Sequence, residues 1–344
     1  MEAVIGWDVG GAHLKAARAE NGVITEAAQI ACPLWLGTGE LDRAFSEARE
    51  CLGRAPLNAV TMTGELSDIF ATRAQGVTSL AGRMTELLQP DRAMFYSCRC
   101  GLVPPGEAAG RAAEIASANW HASAAFIAKH LPAALFIDIG STTADIIPVA
   151  CGRPANLGRT DAERLVHGEL VYTGLVRSFL MSGPKLVPFA GGWTPLMNEW
   201  FAAMADVHRI LGQLPGGADL MDTPDGREKT VAGSMARLAR MIGRDSSEAD
   251  KAAWEGLAQF FAEAQLRDLT DAAFLVLSRG VVPRSAPAVG AGIGRGIARE
   301  LAARLHRTYI DFEELIDAAP HARAHASDCA AAASLALLAQ AHFA

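Results

Sequence analysis

Two segments of the chain share one pattern: an apolar run ending in aspartate, a turn of small residues, and a second strand-like run. They are residues 5–15, IGWDVGGAHLK, and residues 136–147, FIDIGSTTADII. Asp8 and Asp138 take the same place in the pattern. Each copy opens an apparent α/β unit, so the repeat predicts two related lobes that face each other across a cleft.

The residue types in these turns suit a phosphate group. Glycine has no Cβ, so backbone N–H groups of such a turn can approach phosphate oxygens closely. A carboxylate at the end of a strand is a suitable ligand for Mg²⁺, which prefers oxygen. The candidate contacts are Gly10, Gly11, Ala12, His13 and Lys15 in the first turn and Gly140, Ser141, Thr142 and Thr143 in the second. The alternatives are two plain β-hairpins, with Lys15 pointing outward from its strand.

The order of strand and helix patterns divides the chain into two parts. Residues 1–131 form the first and residues 132–344 the second, which contains a helical insertion at about 206–266. Within the second part, the sequence predicts a strand at 169–173 that leads into a helix, and another strand at 273–277. The last helix is predicted at 327–341, where alanine dominates.

Composition excludes several classes of function. The 344-residue chain has a net charge of −7 and no long basic run, which argues against nucleic acid as a partner. Its most apolar stretch, near residues 330–341, is shorter than the ~20 residues of a membrane span. No signal peptide is visible, so we expect a cytoplasmic protein without membrane contact. The six scattered cysteines predict buried free thiols rather than disulfides. The sequence leaves open whether the protein forms an oligomer.

With these motifs in view, the chain resembles the superfamily of acetate kinase, sugar kinases, Hsp70 and actin. Residues 8–11 resemble its first phosphate motif and residues 138–145 its second. Residues 289–294, with Gly290, Gly292 and Gly294, resemble the glycine-rich segment that contacts adenosine in nucleotide-binding members. The resemblance implies an α/β fold of two ribonuclease H-like (actin-like ATPase) lobes around a central cleft, with the helical insertion in the second lobe.

A closer resemblance is to the hydantoinase/oxoprolinase-like proteins linked to tetrahydromethanopterin and methanofuran C1 metabolism. The matching stretches are residues 5–15, 62–68, 116–120, 136–147 and 168–174. This resemblance implies a transferase that joins 5-(aminomethyl)-3-furanmethanol diphosphate to the phenol oxygen of γ-glutamyltyramine and releases pyrophosphate. Mg²⁺ would be the cofactor, and ATP would be compatible but not required. Ala12 is compatible with a diphosphate in place of ATP, because many kinases of the superfamily have a hydroxyl residue at this position.

The implied chemistry assigns roles to particular carboxylates. Departure of diphosphate builds negative charge, which Mg²⁺ held by Asp8 and Asp138 would offset. A phenol has a pKa of ~10, so a general base would help, and Asp145, Glu65 and His13 are candidates. We count Asp8, Glu65 and Asp145 as catalytic candidates. Glu65 is also typical of an acid at a helix N-terminus, and Asp145 is also typical of an exposed strand edge.

Four further residues have two interpretations each. Arg177 and Lys185 either receive the γ-glutamyl carboxylate or lie solvated on the surface. Trp120 and Tyr172 either stack on substrate rings or pack in the core. Two other functions also remain open at this point: an ATP-dependent small-molecule kinase or hydantoinase/oxoprolinase-type enzyme, and a non-enzymatic nucleotide-dependent regulator.

Overall fold

The first Asp-Gly segment belongs to a seven-stranded mixed sheet in the computed structural model, which describes residues 2–343. Numbered along the chain, its strands are β1 (Val4–Val9), β2 (His13–Glu20), β3 (Val23–Ala31), β4 (Leu57–Met62), β5 (Arg92–Ser97), β6 (Gly101–Val103) and β15 (Asp317–Ala318). Their order is β15-β3-β2-β1-β4-β5-β6. Strands β1, β2 and β3 are antiparallel, whereas β4 and β5 continue parallel to β1.

The second Asp-Gly segment belongs to a sheet with the same arrangement. Its strands are β7 (Ala134–Ile139), β8 (Ala144–Ala150), β9 (Arg153–Pro154), β10 (Leu170–Val171), β13 (Ala288–Ala291) and β14 (Tyr309–Asp311). Their order is β10-β8-β7-β13-β14, with β9 paired to β8. An antiparallel trio followed by two parallel strands occurs in both sheets, which confirms the predicted pair of related α/β lobes.

Helices cover both faces of the two sheets. They are α1 (Gly39–Leu52), α2 (Arg73–Leu88), α3 (Ala112–Ile115), α4 (Asn119–His130), α5 (Asp161–Val166), α6 (Met204–Ile210), α7 (Val231–Arg240), α8 (Lys251–Leu277), α9 (Arg295–Arg304), α10 (Arg323–Asp328) and α11 (Ala330–His342). Helices α1 and α2 pack on one face of the first sheet. Helices α4 and α11 lie between the sheets, in a core that takes residues from both. Within residues 2–343, no helix is both long and apolar enough to cross a membrane.

The last helix returns to the first sheet, although the sequence places it with the second part of the chain. Helix α11 packs on β1, β2 and β4. At Gly6 of β1, an added Cβ would lie 2.0 Å from the carbonyl oxygen of Ala332. The alanine-rich face of α11 and the glycine on the strand therefore allow helix and sheet to approach unusually closely. The predicted single helix at 327–341 is interrupted at Cys329, which separates α10 from α11.

The insertion has its own hydrophobic core and is joined to the second sheet by α8. A hairpin, β11 (Leu186–Phe189) and β12 (Gly192–Pro195), packs with α6, α7 and the first half of α8 around Trp254 and Phe261. The second half of α8 packs on β7 and β8. The strand predicted at 273–277 is therefore wrong, because these residues continue α8. Short apolar runs look alike in a strand and a buried helix, and no helix breaker precedes this one.

Two smaller predictions also need correction. The strand predicted at 169–173 is only Leu170–Val171, and no helix follows it, because the next residues run along the second Asp-Gly turn. The expectation of buried thiols is correct for Cys32 and Cys329 only. All six cysteines are free, and three are exposed: Cys51, Cys100 and Cys151.

Candidate active site

The two Asp-Gly segments form hairpins with the same backbone geometry. The N–H of Gly10 donates to the carbonyl of His13 at 2.9 Å, and the N–H of Gly140 donates to the carbonyl of Thr143, also at 2.9 Å. In the first hairpin Asp8 faces Lys15 across the strands. In the second, Asp138 faces Asp145. The two carboxylates thus occupy equivalent positions, but their cross-strand partners carry opposite charges.

Both turns have their carbonyls bonded and their amides free. The carbonyls of Gly11 and Ala12 accept from the N–H groups of Leu34 and Cys32, and those of Gly140 and Ser141 accept from the N–H groups of residues 175–177. Within the described chain, four turn N–H groups donate no hydrogen bond to the protein: those of Gly11, Ala12, Ser141 and Thr142. Free N–H groups in tight turns form anion-binding concavities. The turns therefore present donors suited to phosphate oxygens.

Asp8, Lys15 and Asp138 form the charged centre between the turns. Burial raises the pKa of Asp8 to about 6 and that of Asp138 to about 7, and the nearby Lys15 cation offsets this only in part. Burial works against the charge of Lys15, but Asp138 and Asp8 raise the pKa of the ammonium above its usual value. Lys15 is thus directed inward to both carboxylates rather than outward from its strand.

Asp8 has an unsatisfied oxygen that fits a hard cation. Its side chain is 4 % exposed, and its Oδ1 has no hydrogen-bond partner among the described residues. No group of three or more His, Cys, Asp or Glu side chains converges as a metal site in residues 2–343. Mg²⁺ is commonly held by one or two carboxylates, with water and substrate phosphates completing its shell. Asp8 and Asp138 therefore fit Mg²⁺ carried with a phosphate ligand, and not a site built from protein side chains alone.

Asn119 is a contact of Asp8 that the sequence interpretation missed. Its Oδ1 accepts from the N–H of Trp120 at 2.8 Å, so its amide N–H is free to donate to Asp8, which lowers the pKa of that carboxyl in part. Asn119 is the first residue of α4, which fixes its position beside β1. In the sequence, Asn119 is marked only by its position in the 116–120 stretch that resembles the family. Nothing in the sequence indicates that this stretch lies beside Asp8.

Asp145 is paired with a buried arginine. The guanidinium of Arg164, 2 % exposed, contacts Asp145 Oδ1 and lies 4.3 Å from the ring centre of Trp120. Burial raises the pKa of Asp145 despite this partner. Only one of the two carboxylate oxygens is bonded within the described residues, so Oδ2 of Asp145 remains available as a proton acceptor. Trp120 is 2 % exposed and packs in the core.

Glu65 lies in a buried network that links the two lobes. Ser117 Oγ donates to Glu65 Oε1 at 2.8 Å and contacts Asp161 Oδ2 at 3.1 Å. Arg73 bonds the same two carboxylates. Burial raises the pKa of Glu65, and its Oε2 has no hydrogen-bond partner among the described residues. Glu65 lies in the first turn of the short 3-10 helix Gly64–Leu66, as its helix N-terminus interpretation predicts, but it is buried and is tied to α5 of the second lobe through Asp161.

His13 and the glycine-rich segment are both enclosed. Burial, with the cations of Lys15 and Arg177, lowers the pKa of His13 to about 3, so its ring is neutral near pH 7. Gly290, Gly292 and Gly294 are buried. An added Cβ on them would lie 2.4 Å from Tyr309 Oη, 2.3 Å from Asp138 Oδ1 and 2.4 Å from Ile139, respectively. These glycines thus allow close packing around Asp138.

The remaining candidates lie at the rim. Arg177 is half-buried, and its guanidinium lies 4.8 Å from the ring centre of Trp35. Tyr172 is 71 % exposed, so the core-packing interpretation is wrong for it. Lys185 is exposed. The sequence interpretation did not include Trp35, which follows β3 and has no motif to mark it.

Two hairpins with free amides and a carboxylate each, on two lobes with the same strand order, define a two-lobed protein with the actin-like ATPase fold. Comparison with known proteins agrees on the fold. An acetone carboxylase structure, nucleotide-free and solved for the mechanism of ATP-dependent acetone carboxylation, is 11% identical with a TM-score of 0.61. The match covers 97% of this chain and 70% of that chain.

The family is also shown by comparison. The hydantoinase/oxoprolinase family model matches residues 57–330, well over half of the chain, and the chain belongs to that family. A relative from Methanocaldococcus jannaschii, named (4-{4-[2-(gamma-L-glutamylamino)ethyl]phenoxymethyl}furan-2-yl)methanamine synthase, is 29% identical over 70% of this chain and 72% of its own length. A Methanococcus vannielii protein of the same name is 32% identical over 33% of this chain and 51% of its own length. These relatives are enzymes by name, which supports an enzyme here.

Proposed function

We propose that this chain is a transferase that joins 5-(aminomethyl)-3-furanmethanol diphosphate to the phenol oxygen of γ-glutamyltyramine and releases pyrophosphate, in methanofuran assembly for C1 metabolism. The observation that carries the proposal is the pair of facing turns with four unbonded N–H groups. Such turns suit the two phosphates of a diphosphate. The names of the two archaeal relatives describe the coupled product, a γ-glutamylaminoethyl phenol joined through its oxygen to a furanylmethyl group. The diphosphate leaving group is part of the proposal.

The reaction breaks the bond between the furfuryl carbon and the diphosphate oxygen, and the electron pair leaves with the oxygen. The phenol oxygen forms a new bond to that carbon, and the phenol proton passes to a base. Asp145 Oδ2 is the proposed acceptor, because burial raises the pKa of this carboxyl and Arg164 occupies only Oδ1. The free turn amides and Lys15 would stabilise the charge that develops on the diphosphate.

Asp8 and Asp138 are the proposed holders of Mg²⁺. The unbonded Oδ1 of buried Asp8 is what a cation at this place would explain. Burial raises the pKa values of both carboxyls, and a bound cation would lower them again by stabilising the charged form. Bound there, Mg²⁺ would supply positive charge to the departing diphosphate. Asn119 would keep Asp8 in orientation, and the enclosure of His13 would help to keep water out.

The buried glycines at 290, 292 and 294 support a cleft that works without a nucleoside. Each is covered by a neighbouring side chain or backbone of this protein, at the segment expected to contact adenosine. Ala12 also supports a site that works without ATP, because it lacks the hydroxyl that many kinases of the superfamily have at this position. An ATP-dependent enzyme remains the alternative that the assay must separate.

The test is to incubate the protein with both substrates and Mg²⁺ in the absence of ATP. We expect the coupled furan product, with one pyrophosphate released per molecule of product. Mass spectrometry detects the product, and a pyrophosphate assay measures the pyrophosphate. Asp138→Asn and Asp145→Asn should each lower kcat strongly, about 100-fold for a lost general base. A strict requirement for ATP, or wild-type rates in both variants, would contradict the proposal.

A further inference from the structure

Arg177 is a partly buried cation without an anion. Its guanidinium makes no ion pair and no hydrogen bond within residues 2–343, and its Nε is buried without a partner. Two deeply buried arginines and one partly buried arginine are paired: Arg164 contacts Asp145, Arg237 contacts Asp206, and Arg279 contacts Glu169. A charge removed from water without a partner is costly, so this one is suited to an external anion.

One hydrogen bond and one electrostatic effect place Arg177 near the two turns. Its backbone N–H donates to the carbonyl of Ser141 in the second turn at 2.8 Å. Its guanidinium is close enough to His13, in the first turn, to help lower the pKa of that ring. The cation therefore borders both candidate phosphate-binding turns.

Trp35 holds the guanidinium in a defined orientation. The indole lies against Arg177 at 4.8 Å from its ring centre and is itself 43 % exposed. Stacking uses the face of the planar guanidinium and leaves the N–H groups on its edge free. Those edge groups match two oxygens of a phosphate or a carboxylate.

We infer that Arg177, held by Trp35, is the oxyanion receptor for the outer phosphate of the diphosphate. This inference rests on the proposed function. The substrates offer one other oxyanion, the carboxylate of the γ-glutamyl group. The contact with Ser141 and the closeness of His13 favour the diphosphate, since both residues belong to the turns with free amides.

The experiment measures pyrophosphate binding by calorimetry in the presence of Mg²⁺, with the wild type, Arg177→Gln and Arg177→Lys. We expect Arg177→Gln to weaken binding about tenfold or more, and Arg177→Lys to weaken it less, because a bidentate charged contact is lost or reduced. The matched control is Arg153→Gln, which removes an exposed arginine without an ion pair. Trp35→Leu should weaken binding in the same direction. The Tm of Arg177→Gln should fall little, because the protein loses only the stacking contact with Trp35 and no ion pair or hydrogen bond of the guanidinium.

The KM values of the two substrates then identify the anion. A higher KM for the diphosphate with an unchanged KM for the phenolic amine supports the inference. Unchanged pyrophosphate binding with a raised KM for the amine overturns it in favour of the carboxylate. If Arg177→Gln matches the wild type in pyrophosphate binding and in both KM values, the inference is overturned altogether. The proposed function still stands in that case if the wild type forms product. A wild type that neither binds pyrophosphate nor forms product overturns both.

Discussion

The carboxyl of Asp138 works against folding near neutral pH. Its pKa rises from 3.8 in the unfolded chain to about 7 in the folded protein, chiefly because burial disfavours the charged form. Between these two values the folded protein holds a proton that the unfolded chain has released. The free energy of unfolding should therefore fall as pH rises from about 4 to about 7, through this group. The proposed binding of a cation and a diphosphate at this site would account for keeping such a carboxyl.

Replacing this carboxyl should stabilise the protein at high pH. Asp138→Asn removes the titration, so the variant should be more stable than the wild type at pH 8 by on the order of 1–3 kcal/mol, with little difference near pH 4. Urea unfolding at both pH values, without Mg²⁺ or phosphate, measures the difference. Asp222→Asn, at an exposed carboxyl without an ion pair, is the control. Parallel pH profiles for the wild type and Asp138→Asn would contradict the expectation.

Gly174 supports the second turn by lacking a side chain. An added Cβ would lie 2.6 Å from Ser141 C and Thr142 N and 2.7 Å from Gly140 O. All three are backbone atoms of the turn, so Gly174→Ala should displace them, destabilise the protein by about 1–3 kcal/mol and weaken pyrophosphate binding. Gly82→Ala, where the added methyl meets open space on α2, should leave binding unchanged and stabilise the protein by about 0.5–1 kcal/mol, because alanine favours a helix interior. Thermal unfolding and calorimetry together check the pair, and wild-type binding by Gly174→Ala would rule out this role.

At the scale of elements, helix α8 connects the insertion to the second turn. Gln265 Nε2 donates to Thr173 Oγ1 at 2.9 Å and to the carbonyl of Gly174 at 2.8 Å. Its Oε1 faces His208 Nε2 at 2.9 Å, and since the amide N–H groups are already used, His208 must donate this bond. The insertion thereby helps to hold the segment that covers residues 140–142.

Breaking this connection should affect binding more than chemistry. Gln265→Leu leaves the Gly174 carbonyl and His208 without a partner, which should cost about 1–3 kcal/mol of stability. We also expect a several-fold higher KM for the diphosphate, with a smaller change in kcat. Gln259→Leu, on an exposed turn of the same helix, is the matched control. A drop in kcat at unchanged KM would show that Gln265 does not position the turn.

The sequence predicted those parts of the fold that neighbouring residues determine by themselves. Each hairpin was predictable because a glycine turn between two apolar runs has few other solutions. The long helix α8 was not, because its apolar end at 273–277 has no period that separates strand from helix. At the site, Asp8, Asp138 and Lys15 were predictable as charged residues beside a glycine turn. Asn119 and Trp35 were not, because only the tertiary fold brings them to those turns.

At the scale of the whole molecule, the lobes share one core. Phe136 of the second sheet, Ile24 of the first and Ala332 of α11 belong to a single buried cluster. The ion pair of Arg73 with Asp161 adds a polar connection between the lobes. Each lobe alone would expose a large apolar face, so we expect the two to unfold together.

A single transition is the testable consequence. Urea unfolding followed by tryptophan fluorescence and by far-ultraviolet circular dichroism should give coincident curves with one midpoint. Trp7 reports on the first lobe and Trp254 on the insertion. In the control, Trp7 is replaced with Phe, so the fluorescence comes from the other tryptophans. Comparison with the wild type shows which part of the signal reports on the first lobe. Two separated midpoints would show that a lobe or the insertion unfolds independently.

The close approach of α11 to Gly6 bears on how the chain folds while it is being made. Strand β1 (Val4–Val9) leaves the ribosome more than 300 residues before α11 (Ala330–His342), the helix that covers it. Until then, β1, β2 and β4 lack their cover on that side, although their hairpins can already form. Synthesis at ~5–20 residues per second leaves this surface open for tens of seconds. The nascent first lobe should therefore be a target for chaperones, and it should be released only when the final helix closes over it.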